Sequence, residues 1–258
     1  MTVLDILQRT LEPLPVRGKG RLAEQILRRS KTESLKCHPL SGLEIHLRRS
    51  QRIERLMWAG AYERELVTLL KKIVKPQMTI FDVGANIGYI AAIAARLAGP
   101  TVQVHAFEPN PDCYVRLKLN LSTFPQAHAN QLAISDSAGT LPLYLSENLE
   151  EDGWGSLLKD TGIARRAMEV PVTSIDDFVA RLDVRRVDLI KIDIEGNEMH
   201  ALRGARQLLE RDRPSVIAEL NATCLARDGA KPGDVIAFLT GSGYSVRYVD
   251  SGNIYATH

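Results

Sequence analysis

The segment Phe81-Asp82-Val83-Gly84-Ala85-Asn86-Ile87-Gly88 constrains this chain more than any other. An apolar run, Met78–Val83, stops at glycines. Tyr89–Leu97 then carries apolar residues at helical spacing until Gly99-Pro100. A strand, a tight glycine turn and a helix in succession form the opening unit of a parallel sheet. The glycines let the backbone turn sharply and let a ligand approach it, and the helix start offers free N–H groups. The spacing is Gly-x-x-x-Gly, not the Gly-x-Gly-x-x-Gly of a pyrophosphate-binding turn, which opposes a nicotinamide-dependent dehydrogenase. Asp82 fits a cationic or amine-bearing ligand better than a phosphate.

The alternation continues along the chain. Strands are expected at Val102–Phe107, Ala127–Ile134, Val187–Ile192 and Pro214–Leu220. Helices are expected at Asp112–Leu121, Asp176–Arg181, Glu198–Leu209 and Pro232–Thr240. Thr140–Leu145 with Glu169–Thr173, and Tyr244–Val249 with Ile254–Thr257, read as antiparallel pairs. This order gives an α/β fold, a mostly parallel sheet with helices on both faces. Upstream, residues 1–30 read as two short helices broken by Pro13, Pro15, Gly18 and Gly20. Leu43–Leu47 is a strand candidate, and Gln51–Val74 a helix with Gly60 as its weak point. The division expected is an N-terminal helical, basic extension over 1–50, a lid or an interaction arm, followed by a ligand-binding domain over 51–258.

Charge is unevenly spread. Residues 1–72 hold 15 Lys+Arg and 8 Asp+Glu, whereas the whole chain of 258 residues has a net charge of only +2. A basic arm can meet a phosphate-bearing or membrane-surface partner, or it can be a solvated face, since acids are interleaved with its bases. The weakly acidic remainder and the aromatic content of 5% oppose nucleic-acid binding. Cys37, Cys113 and Cys224 lack the spacing of a disulfide framework or a zinc site, so a reducing, cytoplasmic location is expected. No apolar run approaches the ~18 residues of a transmembrane segment. Met1–Arg9 lacks a basic region before an apolar stretch, so no secretory signal is expected. Oligomeric state is open, and a homo-oligomer is compatible with the sequence.

Four groups of polar residues fall at the carboxyl ends of expected strands, where doubly wound sheets bind ligands. The first is the Asp82–Gly88 turn. The second is Glu108, with Pro109 and Asn110. An acid at this place in a βαβ unit accepts hydrogen bonds from a ribose diol. The third is Lys191-Ile192-Asp193-Ile194-Glu195-Gly196-Asn197-Glu198, at the end of the strand Val187–Ile192, whose three acids repel one another. They can bind a cation, orient an acceptor or remove a proton, and part of the group can cap the following helix. The fourth is Glu219-Leu220-Asn221. Asp193, Glu219 and Asn221 together offer oxygen ligands that suit Mg²⁺, or groups that bind substrate hydroxyls without a metal. Over this edge, Glu147–Asp160 reads as a loop in which Trp154 can stack on a sugar or anchor the loop, with Ser156 beside it. His200 is either a helix-surface residue or a catalytic one.

Taken together, these motifs resemble the FkbM family of methyltransferases. The similarity runs through Trp58–Glu63, Phe81–Gly88, Ala106–Asn110, Asn130–Ser135, Val170–Phe178, Asp188–Glu198, Leu202–Ala205 and Glu219–Asn221. It covers roughly residues 56–222. The resemblance implies a class I methyltransferase, Rossmann-like fold with a seven-stranded sheet of order 3-2-1-4-5-7-6. It implies S-adenosylmethionine as donor and a small-molecule acceptor, most often a hydroxyl on a sugar or secondary metabolite. By the same resemblance, Asp82, Gly84, Asn86 and Gly88 surround the methionine part of the donor, and Glu63 closes over it. Glu108 takes the ribose, with Pro109 and Asn110 beside it. Gln131 and Ala133 flank the adenine, and Asp193 faces the methyl-transfer centre. Asp193, Glu195 and Glu219 are the catalytic candidates, and Trp154, Ser156, Asn221 and His200 the candidates for acceptor contact. The alternatives are N-methylation of a small molecule and a non-catalytic nucleotide-binding regulatory module.

Overall fold

A computed structural model describes residues 3–12, 14, 18–146, 150, 155–159 and 165–258. Two short helices, α1 (Val3–Leu11) and α2 (Lys19–Arg28), precede an antiparallel pair, β1 (Ser34–Cys37) and β2 (Ile45–Arg48). The helix expected over Gln51–Val74 is two helices, α3 (Arg52–Trp58) and α4 (Arg64–Ile73). It breaks because Gly60 and Glu63 both adopt positive φ, which an α-helix cannot continue through. At Gly60 an added Cβ would lie 2.6 Å from Cγ of Glu12, so the break also follows from how α1 ends against it.

The alternating region follows: β3 (Thr79–Val83), α5 (Tyr89–Ala98), β4 (Gln103–Phe107), α6 (Pro111–Leu121) and β5 (Ala127–Asn130). The strand expected over Ala127–Ile134 ends early. Its last residues form β6 (Ala133–Ile134), which pairs instead with the long β9 (Arg165–Thr173). That strand also pairs with β7 (Gly139–Ser146), which in turn pairs with the short β8 (Gly155–Ser156), giving a separate four-stranded sheet. Next come α7 (Ile175–Leu182), β10 (Leu189–Ile192), α8 (Glu198–Arg203) and α9 (Arg206–Asp212). The last two were expected as one helix. They divide at Gly204, where a Cβ would meet Ser135 O at 2.2 Å. Then β11 (Ser215–Glu219), α10 (Ala222–Leu225), α11 (Pro232–Gly241), β12 (Ser245–Tyr248) and β13 (Asn253–Thr257) complete the chain.

The central sheet has seven strands in the order β12-β13-β11-β10-β3-β4-β5. Numbered by themselves in chain order and read from β5, they run 3-2-1-4-5-7-6, with only β13 antiparallel to its neighbours. This is the class I methyltransferase topology. Strand alternation sends Ile80, Val104 and Leu189 to one core and Phe81, Phe107 and Ile190 to the other, as a sheet covered on both faces requires. The first core does not stop at residue 50. Leu27, Leu35, Cys37, Ile45 and Trp58 are buried with Ile93 and Leu117. Asn120 ties the two regions by accepting from His46 N at 2.8 Å and donating to Ile87 O at 2.8 Å. No helix among the described residues is long and apolar enough to cross a membrane.

Candidate active site

The carboxyl ends of β3, β4, β10 and β11 converge on one edge of the sheet. Gly84, at φ +80°, is demanded first by the neighbouring strand: a Cβ there would lie 1.8 Å from Asp193 O. Asp193 N in turn donates to Val83 O at 3.0 Å. The amides of Gly84 and Ala85 both donate to Phe107 O, so they are spent on the loop itself. Gly88, at φ +87°, admits Leu117 from α6. These glycines are therefore needed for close packing between strand ends and helices, over and above any ligand.

Glu108 ends β4 in a fixed position. Its two carboxylate oxygens accept from Asn86 N at 2.8 Å and from Asn110 N at 2.9 Å. Burial raises its pKa to about 7, against the lowering effect of those two N–H groups. It lines a cavity with Asn86, Phe107 and Pro109, faced by Leu132, Ala133 and Ile134. Gln131 does not line this cavity and is exposed. Asn110 is buried, and its side chain caps α6 by accepting from Asp112 N at 3.0 Å. Of the adenine-side and ribose-side residues expected from sequence, Glu108, Pro109 and Ala133 thus face the cavity. Asn110 supports Glu108 from behind.

At the other end of the cavity is a cluster of charge. Lys191 and Asp82 are register partners on adjacent strands, so their side chains lie on the same face. Lys191 Nζ sits 3.4 Å from Asp82 Oδ1 and 3.3 Å from Asp193 Oδ2, and donates to Gly84 O at 3.2 Å. The cation expected opposite Asp82 is therefore a lysine of the same chain. Burial alone would lower the pKa of Lys191, but Asp193, Asp82 and Glu63 outweigh it and keep the ammonium charged. Asp82, 1% exposed, is itself raised by burial in spite of Lys191.

Around this lysine the acids outnumber the bases. Carboxylate oxygens of Asp193, Glu195 and Glu219 lie within 4.8 Å of one another. The charge of Asp193, then burial and Glu195, hold Glu219 far above the usual carboxyl range. Glu63 is raised to about 7 by burial and by Asp193, and it accepts from Asn253 Nδ2 at 3.1 Å. Its left-handed backbone at the start of α4 turns it toward this cluster. Glu195 also has positive φ, and its carboxylate lies 3.1 Å from Cys224 Sγ, which donates to it.

Two cluster residues were given no role from sequence. Lys191 opens the acidic motif as a lone charge in an apolar strand, and only its register opposite Asp82 reveals its part. Tyr62 precedes Glu63 and lines the cavity, packing edge-on against Tyr89 with ring centroids 5.7 Å apart. Burial, then Asp193, Glu63 and Glu219, hold its phenol protonated.

Other expected site residues are placed elsewhere. Ser156, expected beside the acceptor, is 1% exposed, and its hydroxyl donates to Glu195 O at 2.8 Å, tying down the acidic loop. Asn221, expected as a hydroxyl or metal ligand, uses its side-chain oxygen to cap α10 through Thr223 N and Cys224 N. His200 is clasped between Asp136 at 2.7 Å and Asp228 at 2.8 Å, a surface clip rather than a cavity residue. Trp154 lies outside the described residues.

The sequence matches the Methyltransferase FkbM domain over residues 82–246. The chain belongs to the FkbM methyltransferase family. It is 32% identical over 208 residues to the 31-O-demethyl-FK506 methyltransferase FkbM of Streptomyces tacrolimicus, covering 67% of this chain and 75% of that one. It is 28% identical over 179 residues to the hexuronic acid methyltransferase AglP of Haloferax volcanii, covering 69% and 68%. It is 26% identical over 162 residues to the 2-O-methyltransferase NoeI of Sinorhizobium fredii, covering 58% and 65%. A crystal structure of an FkbM methyltransferase from Methylobacillus flagellatus aligns with a TM-score of 0.48 at 14% identity, covering 93% of this chain and 59% of that one.

This FkbM-family protein is an S-adenosylmethionine-dependent methyltransferase, and the cavity fits that donor. Glu108 is a buried carboxyl fixed by two backbone amides, a group that could accept from a ribose diol. Leu132, Ala133 and Ile134 supply an apolar wall for a base. Asp193 and Glu195 supply negative charge at the opposite end, where a sulfonium is favoured.

Proposed function

We propose that the protein methylates a hydroxyl of a small polyhydroxylated acceptor, a sugar or a secondary metabolite. The observation that carries this reading is the carboxylate cluster of Asp193, Glu195 and Glu219, the first two of which line the donor cavity. The names of the relatives that act on a 31-O position, on a hexuronic acid and at a 2-O position support it.

S-adenosylmethionine supplies an already activated methyl group, so the work left to the protein is alignment and proton removal. A neutral hydroxyl must lose its proton as the new bond forms. Asp193, which faces the Lys191 ammonium at 3.3 Å and lines the donor cavity, is the acceptor of that proton, while the neighbouring charge of Asp193 and burial push Glu219 toward its neutral form. Lys191 holds Asp193 by an ion pair at 3.3 Å. Glu195, held by Cys224 and by the Ser156 tie on its backbone, closes the acceptor side. The donor-binding set of this reading is Glu63, Asp82, Gly84, Asn86, Gly88, Glu108 and Asp193, with Asp82 acting through Lys191. The α3 helix and the turn after it cover the cavity through Ile53, Met57 and Tyr62.

The same three carboxylates also suit a divalent cation, since hard oxygen donors bind Mg²⁺. In that variant Asp193, Glu195 and Glu219 would hold it, without Asn221. It would lower the pKa of the acceptor hydroxyl. N-methylation is the other reading, favoured by the excess negative charge, which attracts an amine as well.

A radiolabelled-methyl assay over a panel of sugars and polyols tests the proposal, with the product position read by NMR. Asp193→Ala and Glu219→Ala are each expected to lower turnover by about 10²–10⁴-fold, with binding of S-adenosylhomocysteine retained in the Glu219 variant. Wild-type turnover in both variants, or methyl found only on nitrogen, refutes it. Loss of activity in EDTA, restored by Mg²⁺, selects the metal variant.

A further inference from the structure

A second, larger cleft of about 1290 Å³ lies between the N-terminal region and the outer face of α4. Its walls carry Arg9, Lys19, Arg64, Lys71, Lys72 and Arg247. The acids there are fewer, and two are already engaged. Glu44 pairs with Lys36 at 2.8 Å. Glu12 takes the side chain of Gln8 and the amide of His38.

The bases are not matched in this way. Among the described residues, Arg64, Lys71 and Lys72 have no carboxylate within 4.0 Å. Lys19 is only 4% exposed, and its ammonium rests on the backbone oxygen of Glu12 at 2.7 Å. Burial and the nearby charge of Arg64 press the Lys19 ammonium toward losing its proton, against the pull of Glu12, the one acid that acts on it. A buried cation facing further cations is costly unless an anion joins it. The cleft and the donor cavity share Tyr62 and Tyr89 as a common wall. Tyr62 borders the reacting edge on one side and this basic cleft on the other.

We propose that the cleft is an anion subsite for the methyl acceptor. It holds a phosphate or carboxylate that the acceptor carries, while the hydroxyl to be methylated reaches past Tyr62 to Asp193. This inference rests on the hydroxylated-acceptor reading above, and it narrows that class to anionic acceptors. The phosphate form can be soluble, as in a sugar phosphate, or borne on a lipid. Val3, Ile6 and Leu7 are exposed on α1, the helix that carries Arg9 of the cleft.

The test uses the full chain saturated with S-adenosylhomocysteine, titrated with glucose 1-phosphate, glucuronate and neutral methyl glucoside. The variant R64Q/K71Q/K72Q changes exposed residues of α4 and leaves its buried Leu66, Val67, Leu69 and Leu70 in place. The anionic probes are expected to bind at least about tenfold more tightly than the neutral one, with affinity falling as salt is raised. The triple variant is expected to lose about tenfold in that binding and to bind S-adenosylhomocysteine as wild type does. Capture by phosphatidylglycerol vesicles, lost in the variant, assigns the anion to a lipid. Capture of glucose 1-phosphate without vesicle binding assigns it to a soluble acceptor. Equal binding of charged and neutral probes, or unchanged anion binding in the variant, overturns the proposal. A wrong hydroxyl reading would show separately, as methyl on nitrogen with anion binding intact.

Discussion

Replacing Lys191 with methionine keeps the length and apolar bulk of the side chain while removing the cation between Asp82 and Asp193. Asp82 is 1% exposed, and Lys191 is its one ion-pair partner among the described residues. Breaking a buried pair from one side costs about 3–5 kcal/mol, because the abandoned charge stays buried. For a chain of this length that corresponds to a fall in Tm of roughly 6–20 °C. The cost must also depend on pH. Burial already raises Asp82 in the wild type, and removing Lys191 raises it further. Between its ordinary value and its raised folded value, folding takes up a proton, so stability falls as pH rises. The added slope approaches about 1.4 kcal/mol per pH unit for one proton. Urea unfolding of K191M and wild type at acid, neutral and mildly alkaline pH measures this. The deficit should shrink toward acid, and Asp82→Asn placed in the K191M background should recover a large part of it. A deficit below about 1 kcal/mol, or one that does not change with pH, would show that Lys191 does not neutralise Asp82.

Three further outcomes are expected. Gly84→Ala should cost about 3 kcal/mol or more, or abolish folding, since its Cβ would meet backbone 1.8 Å away; Gly229→Ala, at similar φ with open space around it, should cost only about 1 kcal/mol, and comparing the two melts isolates the collision from the strain. Affinity for S-adenosylhomocysteine should rise from pH 6 to pH 8 as Glu108 loses the proton that burial holds on it to about 7, and Glu108→Gln should flatten that calorimetric profile and weaken binding about tenfold or more. His200→Ala should lower stability by about 1–2 kcal/mol and leave turnover unchanged. Although burial opposes it, pairing with Asp136 and Asp228 raises His200 above 6.5. Its contribution is therefore whole below that value and lost as pH climbs through the raised one, which denaturation at several pH values follows.

Much of the donor half was legible in the sequence because it follows local rules. Period-two and period-3.6 patterns place β3, α5, β4 and α6 within a residue or two of where they lie. Glu108 is found by its position after the second strand. What local patterns miss depends on pairing at a distance. Lys191 is an anomaly in an apolar strand until the register sets it beside Asp82. Gln131 was expected at the adenine, but the strand ends at Asn130, and the chain then turns Ala133 and Ile134 inward instead. Ser156 and Asn221 are polar groups near the site whose hydrogen-bonding capacity is used by backbone, which sequence cannot count. The division expected at residue 50 reads a change of composition, whereas the apolar packing runs across it.

The place of β3 has a consequence for how the chain comes to exist. Its neighbours on either side arrive at very different times: β4 begins 20 residues after β3 ends, while β10 begins at Leu189. Until β10 is made, the strand that precedes the glycine turn keeps an open, apolar edge, the kind of surface that adheres to other chains. A polypeptide cut short before Leu189 has no half-active form to fall back on. It would hold the glycine turn but lack Lys191 to donate to Gly84 O and neutralise Asp82. Interrupted synthesis should therefore yield sticky, protease-sensitive fragments, and the burden on chaperones should ease only once the second half of the sheet has emerged.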